Sequence, residues 1–183
     1  KKMLKKLINK NTANNTINWK KIGIVSSETS LKKTHFFLRE RMGKLGDFIV
    51  IKTEKPNSNQ EKETMLVWGM ISEIKRVNPT LIADASQELA EADIDLSDTI
   101  MSLGKEVIEA EIKILGYSDT DVSGPINVSP LSYSIKPGAS VYLPDKNSIE
   151  NFLFPNNVEC TFRIGSPMAR KDISLVFDGQ ALN

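Results

Sequence analysis

The stretch KEVIEAEIKILGY, Lys105 to Tyr117, decides the fold class of this chain. Ile108, Ala110, Ile112 and Ile114 alternate there with charged residues at positions 109, 111 and 113. Successive side chains of a β-strand point to opposite faces, so this period of two predicts a strand with one face in a core and the other in water. We therefore expect a mainly β protein built around this strand.

Similar short segments lie on both sides of that strand. Turn chemistry such as Lys44-Leu45-Gly46-Asp47 and Lys136-Pro137-Gly138 separates them, because Gly, Pro and Asp favour tight turns. The pattern predicts strands at Lys21–Val25, Thr34–Arg39, Asp47–Thr53, Met65–Val77, Ala139–Leu143, Val158–Ile164 and Asp172–Phe177. Short strands with little helix indicate a small barrel or a sandwich.

The segment Asp47–Thr53 is apolar on both faces: Phe48 and Val50 alternate with Ile49 and Ile51. An apolar outer face needs cover in water. We expect that cover to be a helix, a neighbouring subunit or a following domain.

Two other segments predict buried side chains by alternation. In Val158–Ile164 the predicted core face holds Phe162 and Ile164 together with Cys160, which we interpret as a small core residue rather than a reactive thiol. In Met65–Val77, Ile74 lies between two charged residues and is also predicted to face the core.

Helix is expected in connecting segments. The stretch Asp145–Phe152 has the pattern of a single capped helix, and residues 79–103 are rich in helix formers. Residues 1–20, rich in Lys and Asn, are predicted to be a flexible leader, with a short docking helix as the alternative. Residues 21–183 then form one domain.

Composition narrows the classes of function. The 183-residue chain has 24 basic and 23 acidic residues, so its net charge of +1 gives no overall electrostatic attraction to nucleic acid or an anionic membrane. One cysteine and one histidine rule out an internal disulfide and histidine-rich metal sites. No run approaches the roughly 18 to 20 apolar residues that span a bilayer. We expect a cytoplasmic protein with no membrane partner.

The sequence contains few residues suited to catalysis, phosphate binding or metal binding. The only histidine, His35, lies between Thr34 and Phe36 on a predicted strand, where a surface or hydrogen-bonded role is expected. No glycine-rich phosphate loop of the type GxxxxGK[ST] or GxGxxG occurs. An acidic stretch is typical of a solvated insert, with Mg²⁺ binding as the alternative; its members are Glu88, Glu91, Asp93, Asp95 and Asp98. We predict no catalytic, cofactor-binding or metal-binding residue in this chain.

The order of segments resembles the N-terminal barrel of the HerA family of DNA-translocating ATPases, which is itself similar to the N-terminal barrels of rotary ATP synthases. The resemblance covers nearly all of residues 21–183. It rests on the segments KIGIVSSETS (21–30), RMGKLGDFIVIKT (41–53), LVWGMISEIKRV (66–77), EVIEAEIKILGY (106–117), SIKPGASVYLPD (134–145), IENFLF (149–154) and FRIGSPMARKDISLVFDGQALN (162–183).

The resemblance implies a small closed β-barrel of about six to seven strands with short helical inserts. In this family the strand that resembles Asp172–Phe177 leads into an ATPase core, so the chain is expected to end at the junction to that core. ATP and Mg²⁺ would be bound there and not by this chain. The implied role is that of a noncatalytic tier of a homo-hexameric DNA translocase or helicase. Such a tier docks a nuclease or a sirtuin-type effector in DNA end processing or antiphage defence.

Two sets of residues are candidates for such contacts. Large apolar side chains supply the subunit-interface candidates, which are Phe48, Val50, Phe152, Leu153 and Phe154. For the last three, closing the end of the barrel is the alternative role. Long polar loops supply the partner-facing candidates, which are Asn57, Asn59, Glu61, Glu88 and Glu91. A rival hypothesis is a free-standing β-barrel that binds nucleic acid, which would need exposed aromatic side chains beside a basic groove.

Overall fold

The computed structural model describes residues 19–39, 42–55, 63–77, 107–120, 122–154 and 161–178. Each described element begins and ends within a few residues of its sequence-based prediction. The elements are β1 (Lys20–Thr29), β2 (Lys33–Leu38), β3 (Phe48–Lys55), β4 (Glu63–Val77), β5 (Val107–Ser118), β6 (Ser140–Leu143), α1 (Lys146–Leu153), β7 (Thr161–Gly165) and β8 (Leu175–Asp178).

Six of the strands close into an antiparallel barrel, which confirms the predicted fold class. Their order around the barrel is β1-β2-β5-β4-β3-β6, and β6 pairs again with β1. The strand predicted at Lys105–Tyr117, β5, pairs with β2 on one side and with β4 on the other. Closure leaves none of these strands with a free edge.

The interior of the barrel is filled by the inward-facing side chains of every strand. Ala110 and Ile112 of β5 are fully buried, as their alternation predicted, and Phe36 of β2 lies opposite Ala110. Other members of this core are Ile22, Val25, Leu38, Ile49, Ile51, Met65, Val67, Ile71, Ile135 and Val141. Within the described residues every buried side-chain nitrogen and oxygen has a hydrogen-bond partner.

Two tight turns follow the predicted chemistry. Gly46 adopts φ +84° between β2 and β3, and Gly138 adopts φ +77° just before β6. Positive φ values are strained for residues with a Cβ atom, which explains glycine at both positions. The turn before β3 is closed by the Asp47 amide, which donates to the Lys44 carbonyl over 3.0 Å.

The core-face predictions for Ile74, Phe162 and Ile164 were wrong. Beyond Ile71 the register of β4 against β5 shifts before Glu73, and the rest of β4 to Val77 is exposed, so that Ile74, although opposite Ala110, is 36% exposed. Phe162 and Ile164 belong to β7, which pairs with β8 in a separate two-stranded sheet instead of joining the barrel wall. Cys160 and the predicted inserts within 79–103 lie outside the described residues.

A second apolar layer covers the outside of β3 and β4. The helix α1 begins after Asp145, whose carboxylate accepts a hydrogen bond from the Ser148 amide over 3.0 Å, a standard N-cap. It lies against the outer wall, where Phe152 stacks on Trp68 with ring centroids 4.6 Å apart. The predicted need for cover over Asp47–Thr53 is therefore met by a helix of the same chain. No helix in the described ranges is long and apolar enough to cross a membrane.

Two residues of the predicted leader, Trp19 and Lys20, make contacts with the barrel. Lys20 already pairs with Leu143 in the barrel, and the ring of Trp19 meets that of Trp68 edge to face at 5.9 Å. Both residues therefore belong to the fold. The rest of the predicted leader, 1–18, lies outside the described residues.

Candidate docking surface

The hairpin formed by β7 and β8 stands apart from the barrel sheet and carries exposed apolar side chains. Phe162 and Ile164 lie two residues apart in β7, on either side of Arg163, and are 58% and 66% exposed. Met168, in the loop that joins the two strands, is 88% exposed. A two-stranded sheet is only marginally stable by itself in water, so this hairpin depends on what it packs against.

The loop of the hairpin, residues 166–174, is anchored to the barrel by an arginine. The guanidinium of Arg170 donates to both carboxylate oxygens of Asp172, over 3.0 and 2.9 Å. It also donates to the carbonyl of Pro144, at the end of β6, over 3.2 Å. The bidentate arginine–carboxylate pair has a fixed planar geometry within the loop, which orients the guanidinium for its hydrogen bond to Pro144 on the barrel.

An apolar contact supports the same anchor. Ile173 is fully buried and packs against Phe48 of β3 and Ile149 of α1. Beside it, Ala169 lies against the turn at Gly46, where an added Cβ atom would come 3.7 Å from the Cβ of Ala169. The hairpin is therefore attached through a packed loop, while Phe162 and Ile164 of β7 stay exposed.

The charges around the anchor are coupled. Hydrogen bonding to Arg170 holds the pKa of Asp172 below its usual value, and the same contact raises the pKa of Arg170. Asp47 is buried nearby, and burial raises the pKa of its carboxyl. The Lys44 amide, which donates to Asp47 Oδ2 over 2.8 Å, and the positive charge of Arg170 oppose that increase. Near neutral pH the ionic pair at the anchor is fully charged.

The structure brings the predicted interface residues together on the outer wall of the barrel. Phe48 and Val50 are buried under this chain's own elements, which leaves them no surface for a second subunit. Phe152 and Leu153 are half-buried in the same layer, on the outside of the barrel and not in its end. Phe154 is half-buried at the C-cap of α1, where its amide donates to the Glu150 carbonyl.

The predicted partner-facing residues Asn57, Asn59, Glu61, Glu88 and Glu91 all lie outside the described residues. The role assigned to them therefore stays a prediction.

The histidine lies on the outer face of the barrel beside a carboxylate. His35 Nε2 is 3.6 Å from Glu111, which also accepts from Lys33 at 3.0 Å and from the Ser72 hydroxyl at 2.9 Å. Hydrogen bonds from Lys33 and Ser72 lower the pKa of Glu111. In the part of the chain that the structure describes, no three His, Cys, Asp or Glu side chains come together in a way that would hold a metal ion.

Sequence reasoning missed the anchor and the exposed face of the hairpin. The spacing Arg170-Lys171-Asp172 offered a signal for the ion pair, since an arginine and a carboxylate two residues apart in a tight loop can form it. The exposure of Phe162 and Ile164 had no such signal, because alternation looks the same in a barrel strand and in a hairpin.

Comparison with protein-family models finds no family that matches this chain, and comparison with curated protein sequences finds no match either.

Proposed function

We propose that this chain is a noncatalytic barrel for protein assembly, in which the β7–β8 hairpin docks onto a second copy of the chain. One observation carries the proposal: the hairpin is anchored firmly through Arg170 and Ile173, yet exposes Phe162, Ile164 and Met168. A scattered exposed apolar side chain is ordinary, whereas several on one small element are typical of an interaction site.

A second apolar surface of the barrel is the proposed acceptor. Ile24 of β1 and Phe37 of β2 are cross-strand partners that face outward, with 43% and 42% of each residue exposed. Neighbouring cross-strand side chains form one continuous surface. A hairpin on one copy and a different patch on the next make a head-to-tail contact, which closes into a ring if the rotation allows it.

The resemblance to HerA-family barrels extends this proposal. On that basis the ring is hexameric and the barrel forms one tier of an ATP-dependent DNA translocase, whose ATPase core binds ATP and Mg²⁺. The other face of the tier then docks a nuclease or a sirtuin-type effector in DNA end processing or antiphage defence. Fold analogy by itself does not establish function, so these finer statements need their own test.

The assembly proposal is tested by measuring the molar mass of the chain with light scattering over a range of concentrations. The double variant Phe162→Ser/Ile164→Ser and the variant Phe37→Ser are each expected to shift the chain to monomer. Leu115→Ser is the matched control, because Leu115 is a similarly exposed residue on β5 away from both patches. A wild-type chain that stays monomeric at every concentration, or an oligomer unaffected by both variants, would refute the proposal.

The translocase proposal is tested separately by the parent gene. A GxxxxGK[ST] loop encoded directly after a short strand beyond Asn183 is the expected result. A different sequence there contradicts the motor assignment and leaves the assembly proposal untouched.

A further inference from the structure

A groove runs along the outer wall of the barrel where β6, β3 and β4 lie side by side, beyond the part that α1 covers. It consists of two adjoining cavities that share Lys52. The smaller, with a volume of about 110 Å³, is lined by Trp19, Lys52, Leu66, Thr120 and Tyr142. The larger, of about 300 Å³, is lined by residues of β3 and β4 and by residues 136–140.

The strand register places positive charge on both sides of an aromatic ring. Tyr142 of β6 lies directly opposite Lys21 of β1, and both are on the outer face. On the other side Tyr142 pairs with Val50, which places Lys52 at the diagonal position of β3. Diagonal neighbours in a sheet are about 7–8 Å apart, within reach of a lysine side chain. Lys52 forms no salt bridge with any other described residue.

The second aromatic wall is held in place by hydrogen bonds. The indole nitrogen of Trp19 donates to the Ser148 hydroxyl over 3.2 Å and to Asp145 Oδ1 over 3.4 Å. Its ring also packs edge to face on Trp68. Because the ring is fixed before any ligand arrives, a flat ligand loses little free energy in ordering this wall of the cavity.

The larger cavity offers hydroxyl groups and a second lysine. Thr64 and Ser140 line it together with Lys136, and its one acidic residue is Glu54, which lies 3.7 Å from Lys136. The two lysines therefore outnumber the carboxylate.

We infer that this groove binds single-stranded nucleic acid, with a base in the cavity between Trp19 and Tyr142 and the adjoining phosphates on Lys52 and Lys136. Aromatic side chains beside a basic groove are the features by which barrels hold single strands without reading sequence. An acidic peptide would use the lysines but not the aromatic walls, and this difference favours the nucleic acid. The inference is independent of the assembly proposal, since it uses none of the hairpin residues.

The test is fluorescence anisotropy of a labelled oligothymidylate of about a dozen nucleotides with the full 183-residue chain. Binding is expected at about 50 mM salt and is expected to weaken steeply toward about 200 mM, as phosphate contacts require. Tyr142→Leu keeps apolar bulk and removes the aromatic face, so affinity is expected to fall at least about fivefold. Lys52→Gln is expected to lower the salt slope by about 0.7. Lys113→Gln, on the opposite side of the barrel, is the control.

Circular dichroism of each variant tests whether the barrel is intact. Because Lys52→Gln changes an exposed side chain, this variant tests the groove without a folding defect. The inference is overturned if the chain does not bind at low salt, or if both groove variants bind as tightly as Lys113→Gln. It is also overturned if polyglutamate competes as well as the oligonucleotide. If thymidine monophosphate competes as well as the oligonucleotide at the same nucleotide concentration, the ligand is a free nucleotide and not a single strand.

Discussion

Replacing Phe152 by alanine tests whether this residue stabilises the second apolar layer of its own chain or forms a contact between subunits. Its ring stacks on Trp68 at 4.6 Å and 15° and meets Phe48 edge to face at 6.1 Å. Removing a fully buried phenylalanine costs about 3–5 kcal/mol. Because Phe152 is half-buried but has two aromatic partners, we expect Phe152→Ala to lower the free energy of unfolding by about 2–3 kcal/mol.

The measurement is urea unfolding followed by tryptophan fluorescence, at a low and at a high protein concentration. A loss within the folded chain gives the same difference between variant and wild type at both concentrations, whereas a lost subunit contact makes that difference depend on concentration. Leu115→Ala is the matched control, because Leu115 is exposed on β5 outside the proposed subunit interface, and it is expected to change stability by less than about 0.5 kcal/mol. A loss of stability below about 0.5 kcal/mol for Phe152→Ala would refute the assignment of Phe152 to the second apolar layer.

Two further predictions concern packing and charge. Gly69→Ala would place a Cβ atom 2.4 Å from Ile112 Cγ2 in the barrel interior. This variant is expected to lower the free energy of unfolding, measured with heat or urea, by about 1–3 kcal/mol. Gly124→Ala is the control, because its Cβ atom would have no atom within 4 Å and the stability should stay nearly unchanged. Asp172→Asn is expected to lower the free energy of unfolding at neutral pH and to lose that effect in acid. Arg170 lowers the pKa of Asp172 in the folded chain, so the Asp172 carboxylate stabilises the fold above its ordinary pKa of 3.8. This stabilisation disappears as the pH falls through the lowered pKa of the folded state. A difference between Asp172→Asn and wild type that is constant from neutral pH to well below 3.8 would contradict this.

The barrel strands were predictable from sequence because each one separates a core from water. In β5 the buried Ala110 and Ile112 alternate with Glu111, and the register with β2 places Phe36 on the same inner face. The helix was predictable for a local reason, since Asp145 caps its first turn through a hydrogen bond to a residue only three positions away. Features that depend on near neighbours in the chain, or on one core, leave a pattern in the sequence.

The division of strands between barrel and hairpin was not predictable in that way. The alternation of Phe162 and Ile164 predicts a strand but carries no information about its partner. Phe162 pairs with Phe177 of β8, and the loop between the two strands is attached to the barrel by long-range contacts of Arg170 and Ile173. For the same reason Phe152 was assigned to a subunit contact, because its partner Trp68 is distant in sequence.

The groove was also not predictable from the sequence, because it depends on residues that are distant along the chain. Trp19, Lys52 and Tyr142 line one cavity although the first and last are more than a hundred residues apart in the chain. Only the pairing of β6 with β1 and with β3 brings the lysines beside the tyrosine. A balanced net charge of +1 argued against nucleic acid for the chain as a whole, but a net charge does not describe how charge is distributed over a surface.

A closed barrel has no free strand edge, so recognition by this chain must use its outer faces, its ends or elements added to it. The outer wall divides into sectors: α1 covers Phe48 and Val50, while the wall around Lys52 and Tyr142 stays open as a groove. The added hairpin is held through its loop, which leaves Phe162 free to contact another molecule. Since the hairpin and the groove share no residue, variants of one are controls for the other. The Phe162→Ser/Ile164→Ser chain is therefore expected to become monomeric and to bind the oligonucleotide as tightly as the wild type, and a loss of oligonucleotide binding in that variant would contradict the independence of the two sites.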